Sequence, residues 1–210
     1  VSLEAAVSIL DAAGDDSADV IARSISLSAK TGGIGLSLAE DLDVDTDSSA
    51  SGVLTAYSAL NAYLFEVDDD LLLKEVGTDD GHTAFILSPG KILNGNPAGT
   101  NVVSGATRLH AASDIGAEGN PLRTAVDKLE VRSETGDVWI SNTGPLIVGG
   151  VSDMEGIFAG GAREITASSP VTVEERIEAE GDIIIEAVDD AADGPGETDD
   201  ILVPGGVTIW

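Results

Sequence analysis

Asp41, Asp43, Asp45 and Asp47 stand in the run D-L-D-V-D-T-D, the sharpest chemical pattern in the chain. In a β-strand, successive side chains point to opposite faces, so these carboxylates share one face and Leu42, Val44 and Thr46 the other. Neighbours on that face are about 7 Å apart, too far for one ion to bridge all of them. Two of them with a turn carbonyl could hold calcium, which takes about six to eight oxygen ligands. An EF-hand is excluded, because counting from Asp43 puts Ser48 where the loop needs Gly and Leu54 where it needs Glu. The expectation is a calcium site drawn from Asp41, Asp43, Asp45 and Asp47, set against the simpler reading of a solvated outer face. Asp68-Asp69-Asp70 and Asp79-Asp80 carry the same two readings.

Other constellations are weaker. His82 and His110 are the only histidines, with no H-x-x-x-H pair for zinc and no nucleophile-elbow motif beside them. Each reads as an ordinary surface or turn residue. The absence of cysteine removes disulfides and thiolate metal sites. Gly32-Gly33 and Gly149-Gly150 lack the Lys and downstream helix of a phosphate loop and read as turns. The basic residues Arg108, Arg123, Lys128 and Arg132 fall loosely in one region, and aromatic residues are only 3% of the chain. No catalytic residue is assigned, and the chain is read as non-enzymatic.

The charge narrows the partners. With 38 acidic against 10 basic residues the net charge is −28. Nucleic acids and anionic membrane surfaces are bound through clustered Lys and Arg, so both are disfavoured. No apolar run approaches the ~18 residues of a membrane span, and no signal peptide is visible. So acidic a surface attracts cations and repels itself, and stability should rise with salt or divalent ions.

The elements that must position these groups are short strands. Period-two alternation recurs at residues 25–28, 42–45, 62–67, 71–76, 128–131, 137–140, 145–148, 165–167, 171–173 and 182–186, between turn clusters rich in Gly, Thr, Asn and Ser. Residues 1–13 fit either a helix or a strand and turn. Residues 189–200, DDAADGPGETDD, read as a protruding acidic loop. A sandwich would need many tight hairpins, and only Asn94-Gly95 and Asp80-Gly81 suit them. A stacked solenoid needs similar residues to return instead. Residues 8–20 align with 91–103, Ile34-Gly35 with Ile115-Gly116, and Leu42 and Val44 with Leu129 and Val131. The fold class is therefore all-β, a parallel β-helix (β-solenoid) of roughly eight to ten turns at about 20 to 25 residues each. It forms a single segment over residues 1–210, with an internal repeat at about 8–90 and 91–175. The sequence opens on Val1 and closes on strand-like residues 207–210, as an excerpt of a longer repeat protein would.

The stretches GDVWISNTGPLIVGGV (136–151), IFAGGAREITASSPVTVEE (157–175), AEGDIIIEA (179–187) and DVIARSISLSAKTGGIG (19–35) resemble the repeats of large bacterial surface proteins. These are the filamentous-haemagglutinin-like and autotransporter-type β-helical adhesins. The resemblance implies a right-handed solenoid exposed outside the cell, as a stalk, fibre or adhesive surface, and it supplies no catalytic residue. Partners would be adjoining repeats, identical copies stacked end to end, or glycans and other cell-surface ligands. A carbohydrate-active β-helix (a polysaccharide lyase or glycosidase) and a calcium-dependent structural module are the alternatives.

Overall fold

Alternating segments such as ISLSA and AYLFE become strands whose every second residue is buried, with Ile25, Leu27 and Ala29 inside and Ser26 outside. The computed structural model describes residues 1–47, 49, 51–168, 170–188 and 200–210. The acidic stretch 189–200 lies outside the described residues except for Asp200. Residues 1–13 resolve in favour of strand and turn, with β1 at Ser2–Ala5.

The strands, numbered in chain order, pair in parallel and in register from turn to turn. One ladder runs through β1, β3 (Ile25–Ala29), β5 (Leu54–Ser58), β7 (Leu71–Thr78), β10 (Val102–Ala111), β11 (Leu122–Ser133), β12 (Val138–Asn142), β15 (Arg163–Ser168) and β18 (Ile183–Val188). Another runs through β2 (Val20–Ala22), β4 (Leu42–Thr46), β6 (Ala62–Glu66) and β8 (Thr83–Ser88) onto the far halves of β10 and β11. From β11 it divides into β13 (Leu146–Val148), β16 (Val171–Val173) and β19 (Ile201–Leu202), and into β14 (Ile157–Ala159) and β17 (Ile177–Ala179). Strand β9 (Ile92–Asn94) pairs with β7. The result is a parallel β-solenoid of about 8 turns. At about 4.8 Å per turn it is a rod some 40 Å long.

The lumen is filled by aliphatic columns. Leu42, Leu64, Ile86, Leu109, Val131, Ile157 and Ile177 stack one over the next, each at most 2% exposed. A step between them is one turn of about 20 to 26 residues. Leu42 thus shares its column with Val131 rather than Leu129, two residues from where DLDV aligns with KLEV. Loops of different length shift the register between turns. The corners at Gly35 and Gly116 are built alike: the glycine N–H donates to Ile9 O in one and to Ile92 O in the other. Each glycine has positive φ (65° and 71°), and a Cβ there would strike the backbone of Tyr63 or Trp139 in the next turn.

Where the strand ladder breaks at a corner, side chains take over its hydrogen bonds. Asp70 Oδ1 accepts the N–H of Lys91 at 2.9 Å, Asp114 Oδ1 that of Asp137 at 3.0 Å, and Asp137 Oδ1 that of Ala162 at 2.7 Å. Asn61 and Asn101 do the same for Thr83 and Arg123. These short polar residues are spaced one turn from the group they satisfy. Many of the acidic residues therefore stitch turns together. Replacing Asp137 by Ala leaves the Ala162 N–H unpartnered and should cost about 1–2 kcal/mol, seen as a lower melting temperature.

Some lumen positions are polar, and one of them carries a cation. Arg163 faces the lumen between Val138 and Ile183, is 2% exposed, and its Nε, Nη1 and Nη2 have no hydrogen-bond partner among the described residues. Burial pulls its pKa down to about 10. An unpaired buried guanidinium costs several kcal/mol, and its hydrophobic replacement is neutral or stabilising by about 1–4 kcal/mol. Arg163→Met should accordingly raise the melting temperature; a fall would mean that the guanidinium is paired in solution.

Candidate metal centre

Strand β4 carries the D-L-D-V-D-T-D run with Leu42, Val44 and Thr46 turned into the lumen and Asp43 and Asp45 turned out, as alternation requires. Asp43 is nonetheless only 2% exposed. The preceding turn covers it. Asp19 N–H donates to Asp43 O at 2.9 Å, and Asp43 N–H donates back to Asp19 Oδ2 at 3.2 Å. The acidic loop before β2 is folded by its own carboxylates, Asp11 Oδ1 accepting from Ala13 N–H at 2.7 Å and Asp15 Oδ1 from Ser17 N–H at 2.9 Å. One carboxylate oxygen each from Asp11, Asp19 and Asp43 then lies within 4.8 Å of the other two. These three carboxylates could hold an ion.

The electrostatics of the group are unfavourable as it stands. Burial pushes Asp43 up to about 7, and the carboxylates of Asp41, Asp19, Asp11 and Asp16 push it the same way. Burial also raises Asp19, with Asp11 and Asp15 adding to it against the hydrogen bond from Asp43 N–H. Asp41 is raised by burial and by Asp16 and Asp11. Asp43 Oδ1 is buried without a hydrogen-bond partner among the described residues.

Of the expected ligands, the structure brings only Asp43 into this group. Asp41 precedes β4 and stands close enough to Asp43 to raise its pKa. Asp45 lies in register with Ile21, and Asp47, past the strand end, accepts from the Ser49 hydroxyl at 2.7 Å. The reason is distance: same-face neighbours along a strand are about 7 Å apart, whereas stacked residues of adjacent turns are about 4.8 Å apart. Asp11 and Asp19 were legible only by counting one turn back, since Asp19 precedes Asp43 by 24 residues. In the other acidic runs, Asp70 caps a corner, and Asp79 accepts the Tyr57 hydroxyl at 2.6 Å.

The remaining candidates fall elsewhere. His110 Nε2 lies 2.8 Å from Glu134 Oε1, and Arg132 grips the same carboxylate through Nε at 2.6 Å and Nη2 at 2.9 Å. Arg132, with His110 behind it, holds Glu134 down at about 2. Arg108 stands in register with Glu130, and the Arg132 guanidinium lies 4.8 Å from the centre of the Phe158 ring. His82 lines a groove with Leu36, Leu60, Asn61 and Tyr63. Comparison with known proteins finds no matching family, no matching curated protein and no matching solved structure.

The inner face of β4 holds a second buried acid. Glu66 is 0% exposed and accepts Thr46 N–H at 2.9 Å and the Thr46 hydroxyl at 2.7 Å. Burial pushes it up from 4.5 to about 7, against those hydrogen bonds and with Asp45 adding to the rise. The folded state therefore keeps a proton that the unfolded chain releases between pH 4.5 and about 7. Stability from this group is full below that window and lost as pH rises through it, by something on the order of 3 kcal/mol. Melting curves from pH 4.5 to 7.5 should fall less steeply for Glu66→Gln than for the parent chain. Parallel slopes would show that Glu66 does not titrate in this range.

Proposed function

We propose that this chain is a non-catalytic structural segment of an extracellular β-solenoid, a stalk, fibre or adhesin surface, in which the rod itself is the working part. The observation that carries this reading is the unbroken set of parallel ladders with an aliphatic lumen, from β1 to the last turn. Such a stack resists bending and holds whatever it bears at fixed spacing. The first and last described turns carry apolar residues that would suit stacking. Val1, Leu3, Val7 and Leu10 are exposed at one end, and Ile184, Val188, Ile201, Leu202 and Trp210 at the other. Parallel strands with open edges and exposed apolar rows pair with further turns of the same kind. The net charge of −28 opposes unspecific association between copies.

The partner proposed is another turn of like sequence, which a second copy of this chain supplies. Sedimentation and electron microscopy should show rods that lengthen in multiples of one chain as concentration rises. Leu202→Lys, which places a charge on the exposed edge of β19, should shift the distribution to single chains while leaving the fold intact. A parent chain that stays single at every concentration, or that turns over polysaccharides, contradicts the reading.

A further inference from the structure

We propose that Asp11, Asp19 and Asp43 bind one calcium-class divalent cation, which fastens the acidic loop of the first turn onto the second. The inference starts from stacking. Asp19 and Asp43 are tied by reciprocal backbone and side-chain hydrogen bonds, and Asp11 is turned back onto them, so their carboxylates converge within 4.8 Å. Oxygens around one calcium ion lie about 2.3–2.6 Å from it, so three carboxylates within 4.8 Å of one another need shift by no more than a few tenths of an ångström for one ion to reach all of them.

The independent pointer to a ligand is the Asp43 carboxylate. It is 98% buried by the covering turn, and its Oδ1 has no hydrogen-bond donor among the described residues. Native interiors satisfy buried carboxylate oxygens, and the charges that bear on Asp43 are the carboxylates of Asp41, Asp19, Asp11 and Asp16. A cation supplies what every one of those groups withholds. The donor set is all oxygen, with neither His nor Cys, which favours a hard ion. Asp19 is exposed and Asp11 half-exposed, so water can complete the six to eight ligands calcium takes, about half of them from solvent. Calcium tolerates such an irregular shell, whereas magnesium requires a near-octahedral one.

The experiment uses the intact chain at constant ionic strength, melted with calcium, with magnesium and with a chelator, beside calorimetric titration of calcium alone. The parent chain should bind one equivalent and gain roughly 5–10 °C at a hundred times the dissociation constant, with a smaller gain from magnesium. Asp43→Asn should reverse sign. In chelator it should melt at or above the parent, because a buried like charge is gone, and with calcium it should gain little. Asp11→Asn, at a half-exposed position where folding is not at risk, should also lose the response. Equal calcium responses in the parent and both variants would reduce the effect to counter-ions on an acidic surface and overturn the site. So would an unresponsive parent chain, or an Asp43→Asn chain destabilised equally with and without calcium. End-to-end association measured in chelator separates this outcome from that of the stacking reading.

Discussion

Each turn of this chain must satisfy its backbone N–H and C=O groups on the turns above and below, and the rest of the structure follows from that pairing. Because the pairing is parallel and in register, residues about one turn apart sit directly over each other. Alternate residues then point into a lumen too narrow for anything but side chains. The column from Leu42 to Ile177 is the outcome, with large aliphatics stacked at every level. At corners the chain bends away from ladder geometry and a backbone group would go unpaired. Asp70, Asp114, Asp137, Asn61 and Asn101 reach across one turn to supply the missing acceptor.

The same geometry makes an acidic solenoid electrostatically demanding. Carboxylates that are harmless when spread over a globule are brought about 4.8 Å apart when they recur one turn later. The chain answers in different ways. Glu134 is neutralised by Arg132 and lies within hydrogen-bond distance of His110, and Asp114 is neutralised by the Lys91 ammonium at 2.7 Å. Glu66 is buried against the Thr46 backbone and hydroxyl. Asp11, Asp19 and Asp43 have no cationic partner among the described residues, and their three carboxylates could hold an ion.

The fold was largely legible in the sequence. Alternation located strands such as Ile25–Ala29 and Val138–Asn142, and the return of Ile-Gly at 34–35 and 115–116 announced corners that are hydrogen-bonded alike. Residues 1–13 were ambiguous because Ala and Glu suit a helix, and pairing of β1 on β3 decides for strand. The candidate site was legible only in part. Alternation singled out Asp41, Asp43, Asp45 and Asp47, of which Asp43 alone belongs to the three-carboxylate group. Asp11 and Asp19 lie on the turn before, and loop lengths that vary from turn to turn hide which residue stacks on which. Alternation in R-E-I-T-A-S puts Arg163 on the face of Ile165 and Ala167, but a buried arginine runs against composition, and only its register with Val138 and Ile183 places it in the lumen.

Residue-resolved amide hydrogen exchange tests the central claim, that turn-on-turn pairing holds the molecule together with corner carboxylates completing it. Stacked turns protect most strongly in the middle, so β8, β10, β11 and β12 should exchange slowest and protection should decline toward β1 and β18. The corner amides of Lys91, Asp137 and Ala162, which donate to carboxylates one turn away, should exchange as slowly as their flanking strands. Corner amides exchanging as fast as free loops, or strongest protection at the ends, would contradict the account.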